Sequence, residues 1–117
     1  MKLRIKGNTV RFRLTQQEVA RLRETGEIVE RTEFDGATLR YGIESVAADA
    51  GLDAGFRDGA IAVRVPQSQM RQWADAGEVG LYGRAGAVEI AIEKDFQCLH
   101  GDRIRSEADA FPNPHAS

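Results

Sequence analysis

An alternation of apolar and charged side chains runs along residues 2–14, with Leu3 and Phe12 on the apolar phase. This period of two predicts two half-buried strands. Gly7 and Asn8 lie between them, and glycine supplies the positive φ that a two-residue hairpin turn requires. The opening of the chain is therefore predicted to be a β-hairpin.

A helix is predicted directly after this hairpin. Thr15 and Glu18 have the spacing of a capping box, in which each side chain binds the backbone N–H of the other residue. Leu22 continues an apolar face at helical spacing, and Gly26 is placed to end the helix in a left-handed conformation. The pattern predicts a helix over about 16–25.

Strand signals return after Gly26, at residues 28–29 and again, with alternation, at residues 39–43. Asp35-Gly36 between them is a strong hairpin turn signal. Residues 46–55 are small, acidic and contain glycine, so they predict a connection.

The same series then recurs in the second half of the chain. Asp58-Gly59 predicts a turn, Pro66 marks the start of a second helix, and Gly77 is expected to end that helix. The strand signals of this half are Ile61, Val63, Val65, Val79, Leu81, Val88, Ile90 and Ile92, and the apolar helix positions are Met70 and Trp73.

A shift of 51 residues brings the two series into register without a gap, which fits a duplicated supersecondary unit. The shift places Phe12 on Val63, Val19 on Met70, Leu22 on Trp73, Gly26-Glu27-Ile28 on Gly77-Glu78-Val79, and Leu39 and Tyr41 on Ile90 and Ile92. We predict a single α+β domain over 1–117 with pseudo-repeats at about 2–45 and 53–96 and a tail at 97–117. Each repeat is a strand–strand–helix–strand–strand unit. The expected result is a mostly antiparallel sheet, curled or closed into a barrel, with two packed helices related by a pseudo-twofold axis.

Composition places the chain among ordinary globular domains. Hydrophobic residues make up 42% of its 117 residues and charged residues 29%, and the formal net charge is -2. Global charge gives no reason to expect nucleic acid or an anionic membrane as a partner. The single cysteine excludes an intrachain disulfide, and the alternating N-terminus lacks the apolar stretch of a signal peptide. A cytoplasmic protein is expected.

The predicted N-terminal hairpin carries five cations on one face, namely Lys2, Arg4, Lys6, Arg11 and Arg13. With Gly7-Asn8 as the two-residue loop, Arg4 opposes Arg11 and Lys2 opposes Arg13. Like charges opposed across two strands are destabilising unless something compensates them. An anion or a nucleic acid phosphate could do so, which makes Arg4, Lys6, Arg11 and Arg13 candidates for anion binding. Acidic side chains of the same chain could also do so, and we favour this alternative. The carboxylates considered for it are those of Glu27, Glu30 and Glu33.

A second candidate site lies near the end of the last predicted strand, where Asp95, Cys98 and His100 stand within a few positions of one another. Cys98 and His100 could bind a soft or borderline metal with a carboxylate as third ligand, or Cys98 could act as a thiolate nucleophile. Neither spacing is diagnostic. The favoured reading is a small buried cysteine with a surface histidine, and no cofactor is expected.

Two stretches resemble a family of small bacterial proteins known only as a domain of unknown function. One runs from Lys2 to Thr15, followed by Glu18-Val19; the other runs from Glu93 to Leu99, followed by Asp109 and Phe111-Pro-Asn-Pro114. The resemblance implies a bacterial cytosolic protein and a tail that belongs to the domain. It carries over no functional residues.

No strong catalytic or nucleotide-binding motif is present in the sequence. We therefore expect a non-enzymatic binding or interaction module that forms a homodimer. Two alternatives stay open: an enzyme or metal site at Asp95, Cys98 and His100, and anion or nucleic acid recognition by the basic hairpin.

Overall fold

The computed structural model describes residues 1–47 and 51–96. Eight strands and two helices follow one another in this part of the chain. They are β1 (Lys2–Lys6), β2 (Thr9–Leu14), α1 (Gln16–Thr25), β3 (Glu27–Phe34), β4 (Ala37–Val46), β5 (Asp53–Arg57), β6 (Ala60–Pro66), α2 (Gln67–Asp75), β7 (Gly80–Ala85) and β8 (Val88–Lys94). The α+β class predicted from the sequence is confirmed. The connection predicted over 46–55 is too long, because β4 extends to Val46 and β5 already begins at Asp53.

Consecutive strands form four hairpins, β1–β2, β3–β4, β5–β6 and β7–β8. The turn between β1 and β2 uses Gly7 with a φ of 55°, and its register opposes Arg4 to Arg11 as predicted. At the β5–β6 turn both Asp58 and Gly59 have positive φ, 53° and 74°. Two consecutive positive φ values are what the tightest hairpin turns need.

The strands divide into two four-stranded sheets rather than one closed barrel. Sheet A has the order β1-β2-β8-β7, and sheet B has the order β3-β4-β6-β5. The central pairs β2–β8 and β4–β6 are parallel, while all other pairings are antiparallel. Each sheet therefore combines one hairpin from the first half of the chain with one from the second half.

Local sequence explains how both helices begin, but the two helices end differently. Thr15 and Glu18 form the predicted capping box on α1, and Gly26 ends it with a φ of 81°. Pro66 precedes α2 as predicted, but α2 ends at Asp75 and its C-cap is Ala76 in an extended conformation. The prediction that Gly77 ends this helix in the manner of Gly26 is wrong.

The extended connection after α2 has a physical cause, because it satisfies buried polar groups. The indole N–H of Trp73 donates to the carbonyl of Val79 at 3.1 Å, and the backbone N–H of Lys94 donates to the same carbonyl at 3.0 Å. Val79 itself is 50% exposed and lies outside the strand. The predicted strand signal at Val79 is therefore wrong, and β7 begins one residue later at Gly80.

One hydrophobic core lies between the two sheets and the helices, and each helix packs against strands of both sheets. Phe12 of sheet A and Tyr41 of sheet B place their ring centroids 6.5 Å apart. The large side chains with less than 3% of their surface exposed are those of Phe12, Leu14, Leu22, Ile28, Ile43, Val63, Val65, Pro66, Met70, Trp73, Ile90 and Ile92. Both sheets and both helices therefore contribute to a shared interior.

The two halves have the same element order and the same pairing pattern. At the offset of 51 residues, the buried pairs are Phe12 and Val63, Leu14 and Val65, Val19 and Met70, and Leu22 and Trp73. Val10 and Ile61 are equivalent at that offset, and their parallel partners are Ile90 and Tyr41. By strand pairing, Ile90 is therefore equivalent to Tyr41. The ungapped alignment placed Ile90 on Leu39 instead, so it is two residues out of register after the helices. Duplication itself stays a prediction.

The ammonium group of Met1 is held between two carboxylates. It pairs with Glu18 of α1 and lies 2.9 Å from Oε2 of Glu30 on β3. Burial lowers the pKa of this ammonium, but hydrogen bonds to Glu18 and Glu30 outweigh it and the net shift is upward. Burial likewise raises the pKa of Glu18, but the Met1 ammonium and the backbone N–H of Thr15 outweigh it and lower that pKa.

Replacing Leu22 with alanine should destabilise the fold strongly, because Leu22 is fully buried on the face that α1 packs against the core. Large-to-small changes at such positions cost roughly 2–5 kcal/mol. Urea denaturation measures the loss. Arg21→Ala, at an exposed neighbouring position, should change the free energy of unfolding by less than about 0.5 kcal/mol. Similar midpoints for the two variants would contradict the assignment of Leu22 to the core.

Glu18→Gln should destabilise the protein most between mildly acidic and neutral pH. The contribution of Glu18 is present above its ordinary pKa of 4.5 and is lost as pH falls through the lowered folded pKa. That of the ammonium is present below its ordinary pKa of 8.0 and is lost as pH rises through the raised folded pKa. The difference between wild type and variant should therefore decline on both sides, measured by denaturation across pH. Glu24→Gln, an exposed charge change on the same helix, should give a smaller and flatter difference.

Candidate functional site

The basic face predicted from the hairpin exists, and two of its arginines are neutralised by a neighbouring strand. In sheet A, β8 lies parallel to β2 and places Glu93 opposite Arg13. Oε1 of Glu93 lies 3.2 Å from Nε of Arg11 and 3.9 Å from Nε of Arg13. The side chain of Glu93 is 16% exposed, so solvent screens these charges less than at an open surface. One half-buried carboxylate thus serves two guanidinium groups.

Tyr82 of β7 holds the same carboxylate from the other side. Its hydroxyl donates a 2.8 Å hydrogen bond to Oε2 of Glu93, and this bond, with some burial, raises the pKa of the tyrosine. A Cβ at Gly80 would lie 2.7 Å from the Tyr82 hydroxyl oxygen and 3.0 Å from Cγ of Glu93. A side chain at residue 80 would therefore displace the Tyr82 hydroxyl from its place beside Glu93. With glycine there, Tyr82 and the arginines hold Glu93 between β2 and β7.

The rest of the basic face is only partly compensated. Nζ of Lys2 lies 3.1 Å from Oδ2 of Asp95. Within the described part of the chain, no carboxylate oxygen lies within 4.0 Å of the charged groups of Arg4 or Lys6. Two of the five cations therefore have no carboxylate partner among residues 1–47 and 51–96.

The neutralising carboxylates are not those expected from the sequence. We favoured Glu27, Glu30 and Glu33, but Glu93 and Asp95 approach the arginines and Lys2 instead. Glu30 lies beside the Met1 ammonium. The reason is topological, because β8 and not β3 is the neighbour of β2 in the sheet. Arg11 and Arg13 are nevertheless neutralised by an acidic side chain of the same chain, which agrees with the alternative that we favoured.

Of the second candidate site, the structure places one residue. Asp95 follows the end of β8, where its backbone N–H donates to the carbonyl of Leu14 at 2.8 Å and its carboxylate faces Lys2. Cys98 and His100 lie outside the described residues, so the metal and nucleophile hypotheses stay predictions. Within 1–47 and 51–96, no three His, Cys, Asp or Glu side chains are grouped so as to hold a metal ion.

A groove of about 1090 Å³ lies between the two helices at the end of β8. Its apolar lining includes Leu14, Val19, Ala20, Ala74 and Phe96, and its polar lining includes Thr15, Gln16, Gln17, Arg23, Asp75, Lys94 and Asp95. Arg23 of α1 donates to both carboxylate oxygens of Asp75 near the end of α2, at 2.7 and 2.9 Å. These hydrogen bonds raise the pKa of Arg23 and lower that of Asp75. The helices are thus linked across the groove.

The core-facing side of sheet B becomes uncovered toward its hairpin turns. Along β4, Ile43 is buried, whereas Tyr41 and Leu39 are half-buried. The same side ends in Phe34 on β3 and Phe56 on β5, which are 61% and 71% exposed. We call Phe34, Leu39, Phe56 and Ile61 the uncovered apolar face; cross-strand register puts Phe56 opposite Ile61, in line with Tyr41. The core-facing side of sheet A is also uncovered toward its β1–β2 turn, because Ile5 on that side of β1 is 54% exposed.

Sequence reasoning did not single out Phe34 and Phe56 as surface residues, although a signal was present. Each stands on the apolar phase of its strand near a turn signal, Phe34 directly before Asp35-Gly36 and Phe56 two residues before Asp58-Gly59. An apolar residue next to a hairpin turn lies at the end of the sheet, where the fewest other side chains pack against it. The groove between α1 and α2 had no such signal, because it depends on how two helices far apart in sequence pack together.

The described residues thus define an α+β module of two sheets and two helices, with a partly neutralised basic face, an interhelical groove and an uncovered apolar face. The chain belongs to DUF7009, a family of unknown function, whose model matches residues 1–115. No curated protein and no solved structure matches the chain. In the two described stretches, no helix has both the length and the apolar character required to cross a membrane.

Glu93→Gln should increase salt-sensitive binding of DNA by the basic face, since it leaves the charges of Arg11 and Arg13 without their carboxylate. Phosphate-dominated binding weakens steeply with added salt. Fluorescence anisotropy with a labelled mixed-sequence duplex should show weak binding by the wild type and tighter binding by the variant at low salt.

Glu89→Gln provides the matched control for this measurement. It makes the same charge change on the same side of β8, where Glu89 pairs with Arg84 rather than with the hairpin arginines. Equal gains in the two variants would show that net charge, and not the release of Arg11 and Arg13, determines the binding.

Proposed function

We propose that this protein is a non-enzymatic interaction module that forms a homodimer through the uncovered apolar face. The observation that carries the proposal is the exposure of Phe34 and Phe56 on the core-facing side of one sheet. Exposed large apolar side chains that lie together with polar surroundings mark interaction surfaces more often than isolated ones do. Full burial of an exposed phenylalanine side chain at an interface stabilises the complex by about 1.5–3 kcal/mol.

A second copy of the chain suits this surface for a geometric reason. Phe34 lies on the edge strand β3 and Phe56 on the opposite edge strand β5, with Leu39 and Ile61 on the central strands between them. In a twofold dimer, if one residue contacts a second residue of the partner, the second residue also contacts the first residue of the partner. The proposed dimer pairs Phe34 of each protomer with Phe56 of the other in this way.

The cellular setting is part of the same proposal. The chain carries a single cysteine, which excludes an intrachain disulfide. This feature supports a cytoplasmic protein, where cysteines stay reduced. The resemblance of the two end motifs supports a bacterial source.

Phe56→Ser should weaken the dimer by at least about 30-fold in Kd, as truncation of a central interface aromatic does when it costs about 2 kcal/mol or more. Phe34→Ser should act in the same direction, because each dimer contains both contacts twice. Sedimentation velocity over a range of concentrations measures the change, and circular dichroism verifies that each variant is folded.

The control variant is Val29→Ser. Val29 is 54% exposed on β3 but lies on the opposite side of sheet B, so its removal should leave the dimer intact. A monomeric wild type at high concentration, or a dimer weakened equally by Val29→Ser, would overturn the proposal.

A further inference from the structure

The groove between α1 and α2 has an apolar floor that no described segment covers. Val19 and Leu14 are almost fully buried beneath it, while Ala20 of α1 is exposed at its side. The described chain also ends at this place, because Phe96 lines the groove and is 60% exposed. The residues that follow Phe96 therefore start beside the opening.

We propose that residues 97–117 of the same chain occupy this groove, with Phe111 against the apolar floor between Ala20 and Ala74. Phe111 is the only aromatic residue after Phe96. The segment between them is long enough to return to any part of the groove, because about fifteen residues span up to roughly 50 Å when extended. Reach therefore does not limit the contact.

Two further observations support this occupant. The family model continues through residue 115, so the sequence after Phe96 is part of what defines the family and not an addition to it. Pro112 directly follows Phe111 and Pro114 stands two residues further on, and proline reduces the conformational entropy that a bound segment loses. A short proline-containing aromatic segment is thus a low-cost ligand for an apolar groove.

The rim of the groove carries both signs of charge, as does the segment. Arg23 and Lys94 are cationic, Asp75 and Asp95 are anionic, and the segment contains Asp102, Arg103, Arg105, Glu107 and Asp109. Lys94 donates to the carbonyl of Ala76 and lies 5.7 Å from the centre of the Trp73 ring, so it is held at the α2 side. Arg23 is held by Asp75. The rim is therefore organised before any segment binds.

Paramagnetic relaxation enhancement in the full-length chain tests the proposal. Cys98→Ser removes the native thiol, and Asn113→Cys then carries a single nitroxide label. We expect the amide signals of residues 17–23 and 74–77 to lose most of their intensity, while those at the hairpin turns Gly36 and Gly59 keep theirs. A weak, uniform loss over the whole surface, or a loss centred elsewhere, would overturn the proposal.

A second variant separates groove binding from accidental proximity. Ala20→Arg in the labelled chain places a large charged side chain on the groove side of α1 and should restore the intensities of residues 17–23. Glu24→Arg, at an exposed position that does not line the groove, should leave the pattern unchanged. No recovery with Ala20→Arg would count against the groove as the site.

Mixed samples identify which chain supplies the segment. Isotope-labelled protein without nitroxide is mixed with unlabelled protein that carries it. We expect little intensity loss at α1 in this mixture, because each groove holds its own chain's segment. Strong loss would mean that a second copy supplies the segment, and the proposal as stated would fail. The dimer through the uncovered apolar face does not enter this result, because Phe34→Ser and Phe56→Ser can be introduced into both proteins.

Discussion

Parallel pairing between the two halves of the chain is the constraint on which the rest of the structure depends. Strand β2 pairs with β8 and β4 pairs with β6, so each sheet contains a hairpin from either half. Each helix then connects one sheet to the other and packs against both. Neither half could bury its apolar strand faces by itself, because the strand that completes each sheet lies in the other half. The single core follows from this exchange.

The same pairing determines the chemistry of the surface. It places Glu93 opposite Arg13 and within reach of Arg11. It also lets the backbone N–H of Asp95 donate to the carbonyl of Leu14, just before the N-terminus of α1. Across the hairpin, Arg11 opposes Arg4 and Arg13 opposes Lys2. Arg11 and Arg13 are thereby stabilised against these like charges by a carboxylate distant in sequence. The basic face is thus a part of the fold, and among the described residues its Arg4 and Lys6 have no carboxylate partner.

Features that depend on neighbouring residues could be predicted from the sequence, and features that depend on distant pairing could not. The hairpin register at Arg4 and Arg11, the capping box of Thr15 and Glu18, and the left-handed Gly26 all follow from local rules. To predict that Glu93, and not Glu27 or Glu33, neutralises the hairpin arginines would have required knowledge of the strand order in the sheet. The predictions at Gly77 and Val79 were wrong for a similar reason. The Trp73 indole N–H donates to the Val79 carbonyl, and the connection after α2 is extended so that this hydrogen bond can form. A glycine at the right spacing could not reveal that tertiary hydrogen bond.

The exchange of strands also has a consequence for the time course of folding. The contact of Thr9 with Glu89 joins residues 80 positions apart, and the β2–β8 ladder consists entirely of such pairs. Closing a loop of that length costs chain entropy before the ladder returns any stabilisation, and topologies dominated by distant pairs fold slowly. During synthesis the β1–β2 hairpin must wait for β8 to leave the ribosome. Until then the unpaired edge of β2, with Phe12 and Leu14 on its apolar side, is exposed to other chains, so the nascent protein is most prone to misassociation before β8 becomes available.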